Sequence, residues 1–242
     1  MNITAVDLGN YNVKFSGKDE NGMFSSRIST EHQTFPDAFE RITMNDSMDT
    51  YYMGVGTLQR DFNKVDKQFI PQVLYSICRA NLGQVVDTNL VTLLPIVQME
   101  NKNKIVDALK NKEFAVKFNG KNRVINIRDV KVLPEGYMSY YSLSPENKQG
   151  DICILDTGSR TVNICVLEDG SIQKLKTVKI GTFDFYSQVK DKENSRGNSF
   201  QEEDIQRLID NKIIQILPKQ YDDFLKQILN AIKPIVNIST YN

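Results

Sequence analysis

The sequence predicts an α/β protein made of two related half-domains, and three observations carry that reading. A short motif, Asp7-Leu-Gly-Asn-Tyr-Asn-Val-Lys14, returns later as Asp156-Thr-Gly-Ser-Arg-Thr-Val-Asn163. Each copy lies between apolar runs patterned as strands, and each leads on to a turn dipeptide, Asn21-Gly22 or Asp169-Gly170. Such dipeptides supply the positive φ angles that tight hairpins need. Between and after the copies, apolar residues recur at helical spacing. A unit that returns once at long range implies duplication of a half-domain.

In chain order, residues 2–29 read as a three-strand meander. A loop with Phe35-Pro36 and polar text around Asn45-Asp46-Ser47 follow, then a short strand at Tyr51–Gly56 and a helix near 57–65. Phe69, Val73, Leu74, Ile77, Cys78 and Leu82 form one helical stripe over 69–82, with Pro71 in the first turn and Gly83 as the stop. Leu90–Val97 is almost continuously apolar, as a strand buried on both faces would be. A helix is expected over Glu100–Lys110. Next come a hairpin with Asn119-Gly120 at its turn, a strand at Val130–Leu133, and a helix opening at Met138. The polar stretch Ser144–Gly150, edged by Pro145 and Gly150, marks the expected boundary between domains 1–147 and 148–242. The second meander covers about 151–178. Helices are expected from Ile180, after a loop at Lys190–Ser199, and over Pro218–Ile232, with a closing strand at Ile235–Ile238.

Composition excludes several classes. Among 242 residues, Lys+Arg and Asp+Glu each number 30, so net charge gives no general attraction to nucleic acid or anionic lipid. No apolar run approaches the ~18 residues of a membrane span, and no signal-peptide pattern opens the chain. Cys78, Cys153 and Cys165 show no CxxC spacing, which fits a reducing cytoplasm. His32 is the only histidine, which disfavours His-built metal sites and Ser-His-Asp catalysis.

The repeated turn has its own chemistry. A glycine lets the backbone aim successive N–H groups at one point, forming a nest for an anion such as phosphate. An Asp ending the preceding strand cannot hold phosphate itself but can hold hydrated Mg²⁺ that does. Two such turns would clamp a polyphosphate. Two ordinary Asx turns between strands are the plain alternative.

These strand–turn–strand units resemble the two phosphate motifs of the actin/Hsp70/sugar-kinase superfamily. Asp7 to Lys14 is similar to the first, including the lysine seven residues after the Asp; Asp156 to Thr161 is similar to the second. Val132-Leu-Pro-Glu-Gly136 resembles the connecting segment of bacterial actins, and Gly181-Thr-Phe-Asp184 resembles the segment after the second meander. The opening residues and Gly54-Val-Gly56 are most similar to ParM-type plasmid-segregation actins. The resemblance implies an actin-like (RNase H-like) two-domain fold, with duplicated mixed sheets flanked by helices around a nucleotide cleft. By the same resemblance Asp7 and Asp156 would organise Mg²⁺ through water. Gly9, Asn10, Tyr11, Asn12, Lys14, Gly158, Ser159, Arg160, Thr161 and Gly181 would hold the phosphates of ATP, with GTP possible, and Glu135 would orient the attacking water. Arg160 stands where small residues are commoner, and would meet phosphate or a neighbouring subunit.

The family's adenosine-contacting Gly-Gly motif has no match after Ile235, so the reading is of a shortened second domain with an open base preference. The implied function is a cytoplasmic ATPase that polymerises into filaments and moves plasmid DNA through an adaptor protein, with no membrane partner. A nucleotide-independent scaffold filament and a small-molecule kinase of the same fold are the alternatives.

Overall fold

A computed structural model describes residues 2–58 and 63–241. The chain forms two compact units: residues through Leu94 with Gln98–Pro134, and Pro95–Val97 with the chain from Glu135 onward. The polar stretch around 144–150 lies inside the second unit.

The first unit is built on a nine-stranded mixed sheet. Its strands are β1 (Asn2–Leu8), β2 (Asn12–Ser16), β3 (Asn21–Ser25), β4 (Ile28–Ser29), β5 (Arg41–Met44), β6 (Thr50–Met53), β7 (Val85–Leu94), β8 (Lys112–Phe118) and β9 (Lys121–Pro134). Their spatial order is β3-β2-β1-β7-β9-β8-β5-β6-β4. β7 runs parallel to β1 on one side and to β9 on the other, and the remaining pairs are antiparallel. Helices α1 (Phe69–Ala80) and α2 (Lys102–Leu109) cover the sheet; Val73, Leu74, Ile77, Cys78 and Ala80 of α1 are fully buried.

The turn between β2 and β3 is Gly17–Glu20, closed by Gly17 N–H to Glu20 O at 3.1 Å, and Asn21-Gly22 begins β3. Asn119-Gly120, by contrast, is a two-residue turn with φ of 46° and 81°. Helix α1 ends at Ala80, because Asn81 is already extended, three residues before Gly83 would have acted. The expected helix near 57–65 falls partly on 59–62, outside the described residues; Lys64–Asp66 forms one 3₁₀ turn. Strand β5 was not anticipated.

Strand β7 begins at Val85 and alternates. Val86, Thr88, Leu90, Thr92 and Leu94 face the core; of the alternate residues Val85 and Asp87 are exposed, while Asn89, Val91 and Leu93 are partly covered. Its buried threonines are satisfied by β1: Thr88 shares a 2.9 Å hydroxyl contact with Thr4, and Thr92 donates to Val6 O at 2.8 Å. Strand β9 merges two segments expected to be separate. Its register against β7 slips by one at Arg128, which leaves the ladder and donates to Asp87 at 2.9 Å. Before that bulge Ile125 and Ile127 are buried; after it Val130 and Val132 are.

One polar network pins α1 to the sheet. The Tyr75 hydroxyl donates to Glu40, whose carboxylate also accepts from Asn119 at 2.7 Å, and Arg79 donates to the Tyr75 oxygen at 3.3 Å. Burial works to raise the Glu40 pKa, but these hydrogen bonds and the Arg79 charge outweigh it and hold the carboxyl below its ordinary value. The resulting stabilisation is present above the unfolded-state pKa and is lost as pH falls through the depressed folded one. Tyr75→Phe is expected to cost about 1 kcal/mol at pH 7, the pair being partly exposed. The difference in Tm between wild type and variant should narrow as the pH falls through that window; a difference unchanged with pH would refute the linkage.

The second unit carries a three-stranded antiparallel sheet, β10 (Ile152–Thr157), β11 (Val162–Glu168) and β12 (Ser171–Val178), with β11 central. The β11–β12 turn is Asp169-Gly170, with φ of 46° and 78°. β11 is apolar on both faces except for Asn163 and the terminal Glu168, because both faces are covered. Val162, Ile164 and Val166 pack with α3 (Thr182–Asn194), α4 (Ile205–Asp210) and α5 (Pro218–Ile232), while Cys165 and Leu167 pack with Tyr137, Tyr140 and Leu143. Those tyrosines lie on a 3₁₀ segment, Tyr137–Ser142, where an α-helix was expected.

Helix α3 runs five residues into the expected loop, through Asn194. The long helix predicted after Ser199 is instead a 3₁₀ turn at Glu202–Asp204 and the short α4. It is broken where Lys212 takes a φ of 58°, and Ile213, expected inward, is exposed. Ile235–Ile238 makes no strand; Val236 is buried beside α5, and Ile238–Thr240 is a 3₁₀ turn. Burial raises the thiol of Cys78 to about 12 and that of Cys165 to about 11, so neither is a nucleophile near neutral pH. Among the described residues no helix is long and apolar enough to cross a membrane.

Candidate functional site

Each unit places its copy of the repeated motif at the first turn of a meander. In the first unit, Asp7 on β1 is paired in register with Lys14 on β2, so both side chains stand on one face of the sheet. Gly9 is required by the turn, since a Cβ there would lie 2.3 Å from Asn12 O. The turn is anchored by Ser26, whose N–H donates to Tyr11 O at 2.9 Å and whose hydroxyl donates to Asn10 O at 2.6 Å.

Two cations meet this turn. Lys64, with its side chain only 4% exposed, contacts the Asp7 carboxylate at 3.3 Å, and Lys67 donates to Asn10 Oδ1. Lys64 is fixed in turn by its backbone N–H, which donates to Gln98 Oε1 at 2.9 Å. Leu8, Gly9, Ser26, Lys64, Lys67, Phe69 and Gln72 line a recess at this point.

In the second unit the turn closes through Gly158 N–H to Thr161 O at 2.8 Å, and a Cβ on Gly158 would meet that same oxygen at 3.4 Å. The relation of Gly9 to Asn12 is thus repeated. The first turn of α3 is moored to the loop, with Thr182 N–H donating to Gly158 O at 3.1 Å and Phe183 N–H to Ser159 O at 2.9 Å. Gly181 lies against the same backbone; a Cβ there would fall 2.4 Å from Ser159 O and 2.5 Å from Arg160 N. Its N–H donates to Asp184 at 2.7 Å. Arg160 stacks over Phe183, 4.3 Å from the ring centroid, and pairs with Glu202 at 3.6 Å.

The register of the second sheet sets Asp156, Asn163 and Thr177 in one row across three strands. Asn163 Nδ2 donates to Asp156 at 3.4 Å and to Glu135 at 2.9 Å, while Asn163 Oδ1 accepts from Thr177 at 2.8 Å. Gly136, with a φ of 78°, turns the chain against this row; a Cβ there would meet Asn163 Cβ at 3.3 Å and Asp156 Cβ at 3.5 Å.

A family described as "Actin like proteins N terminal domain" matches residues 5–137, more than half of the chain. The chain belongs to the actin-like proteins. Solved structures agree on the actin-like fold. An apo pSK41 ParM matches with a TM-score of 0.70 and 19% identity, over 99% of this chain and 83% of that one. An archaeal actin homologue, Ta0583, in complex with ADP, matches with a TM-score of 0.79 and 18% identity, over 97% and 82%. AlfA from a B. subtilis plasmid, in its filament structure, matches with a TM-score of 0.60 and 22% identity, over 79% and 78%. No curated protein sequence matches the chain.

In this actin-like chain the structure gathers Asp7, Gly9, Asn10, Tyr11, Asn12 and Lys14 at one turn. It gathers Gly158, Ser159, Arg160, Thr161 and Gly181 at the other, with Glu135 beside Asp156. Sequence reasoning missed Lys64, Lys67 and the bridging part of Asn163. The lysines reach their partners across 57 residues, which no local spacing reveals. Asn163 was visible only as the last position of the echo, where it stands in the register position that Lys14 occupies in the first unit.

Among the described residues no three His, Cys, Asp or Glu side chains cluster as metal ligands. Mg²⁺ in nucleotide enzymes is typically held by one or two carboxylates, with waters and phosphate oxygens completing its shell. Asp7 and Asp156, single carboxylates beside glycine turns, fit that mode.

Proposed function

We propose that this actin-like protein is a nucleotide-dependent, filament-forming ATPase of the plasmid-segregation type. The observation that carries the reading is the duplicated turn: Asp, one residue, then a glycine packed on the carbonyl three residues on, in both units. Supporting it, the Ta0583 structure is in complex with ADP, and AlfA and Alp12 structures are of filaments, one AlfA filament being bound to AMPPNP.

On this reading Asp7 in the first unit and Asp156 in the second are the carboxylates that would hold Mg²⁺, and the metal would supply charge neutralisation to the phosphates when bound. Lys64, Lys67 and Lys14 place positive charge at the first turn. Glu135 accepts a hydrogen bond from the attacking water and orients it. Phosphoryl transfer depends on such positioning and charge stabilisation rather than on covalent participation by the protein. The partners are further copies of the chain and an adaptor bound to plasmid DNA, in the cytoplasm. ATP is the expected nucleotide, with GTP open to the same phosphate contacts.

Sedimentation of the purified protein with and without Mg-nucleotide, with released phosphate measured in the same tubes, tests the proposal. Pelleting that requires Mg-ATP or Mg-GTP, followed by phosphate release and disassembly, is expected. Filaments indifferent to nucleotide would replace the reading with a scaffold, and phosphorylation of a sugar or carboxylic acid without pelleting would replace it with a kinase.

A further inference from the structure

Asn163 is 1% exposed, the second residue of a strand whose next four residues are apolar and buried. An uncharged amide in such a place is retained at a cost unless its donors and acceptor are satisfied. Here both ends are used. Thr177 donates to Oδ1, and Nδ2 reaches Glu135 and Asp156. The orientation is set by charge, because the flipped amide would turn its carbonyl oxygen onto two carboxylates. The row is rigid: Asp156 and Thr177 are its ladder partners on either side, and Gly136 packs on its Cβ. In the first unit the same register position carries Lys14 beside Asp7. A lysine there contributes a full positive charge; an asparagine holds carboxylates in place and leaves their charge intact.

We infer that Asn163 is a positioning residue, which fixes the Glu135 carboxylate relative to that of Asp156 through the two hydrogens of one amide. The inference rests on the proposed hydrolytic function for its consequence, but the coupling itself is a property of the folded chain. With the amide gone, Glu135 keeps its chemistry and loses the hydrogen bond that ties its direction to Asp156. Misplacement by an ångström is enough to slow a positioned reaction by about 100-fold.

Two measurements on the full-length protein test this separately. In the first, the side-chain amide of ¹⁵N-labelled Asn163 is followed by NMR in wild type and in Glu135→Gln. A clear shift of both amide protons is expected, and resonances indifferent to that change overturn the inference whether or not the protein hydrolyses nucleotide. In the second, Asn163→Leu, which keeps the branched shape and removes the donors, is compared with Asn163→Gln, which keeps donors on a longer stem. Under single turnover, Asn163→Leu is expected to lose roughly 10- to 100-fold in hydrolysis with nucleotide affinity within about 3-fold of wild type, and Asn163→Gln to recover part of the loss. A wild-type protein that hydrolyses while Asn163→Leu keeps its full rate overturns the positioning role. A wild-type protein that hydrolyses no nucleotide refutes the proposed function instead, and the NMR result then decides the inference.

Discussion

Glu135→Ala is expected to lower nucleotide hydrolysis by roughly 10²- to 10⁴-fold, the usual contribution of a positioned acid–base group. Nucleotide-dependent pelleting should survive the change, because the role proposed for Glu135, which accepts from Asn163 at 2.9 Å, is to orient water and not to hold phosphate. The folded state should lose little, about 1 kcal/mol, since the Asn163 amide retains Asp156 and Thr177 as partners. A large rate loss with a small change in Tm is therefore the signature. Filaments that persist after phosphate release would have ceased in the wild type would show the same defect by microscopy. An undiminished rate would remove Glu135 from the mechanism.

Gly181→Ala is expected to be the more disruptive change for the fold, though it adds one methyl group. That methyl would stand 2.4 Å from Ser159 O, and the backbone cannot simply retreat, because α3 is moored to the loop by the N–H groups of Thr182 and Phe183. Overpacking of this kind costs about 3 kcal/mol. In a unit of this size that corresponds to a fall in Tm on the order of 10 °C. Nucleotide affinity should fall with it, because the strain is released into the Gly158–Thr161 turn. Gly54→Ala is the control: its φ of 78° is costly for alanine, but its added Cβ meets nothing within 4 Å, so about 1 kcal/mol is expected and no loss of affinity. Thermal melts and nucleotide titrations of the two variants side by side separate the effects; equal affinity losses would show that Gly181 does not shape the turn.

What was legible in the chain follows from the range of the interactions involved. The two meanders and α5 were readable because side-chain periodicity is local, and Pro218 marked the start of α5. Asp169-Gly170 and Asn119-Gly120 turned as expected, whereas Asn21-Gly22 did not, because Gly17 had already closed a longer loop four residues earlier. The failure after Ser199 has a similar cause. Ile205, Leu208 and Ile209 do continue a helical stripe, but Lys212 in a left-handed conformation ends it and directs Ile214, not Ile213, into the core. At the candidate site, the glycines and carboxylates were visible as a repeated string. The buried lysine beside Asp7 was not, because its position depends on a 3₁₀ turn held by Gln98, which lies 34 residues away.

The bulge at Arg128 gives β9 a reading frame. A strand assigns its residues to two faces by parity, and one inserted residue exchanges the assignment for everything downstream. Odd positions, Ile125 and Ile127, are interior before the bulge; even positions, Val130 and Val132, are interior after it. Loss of the exposed Arg128 would therefore not act as a trimmed surface residue. It would be a frameshift in side-chain space, presenting Lys131 to the core and Val130 and Val132 to water. The segment put out of frame is the one that ends at Pro134, immediately before Glu135.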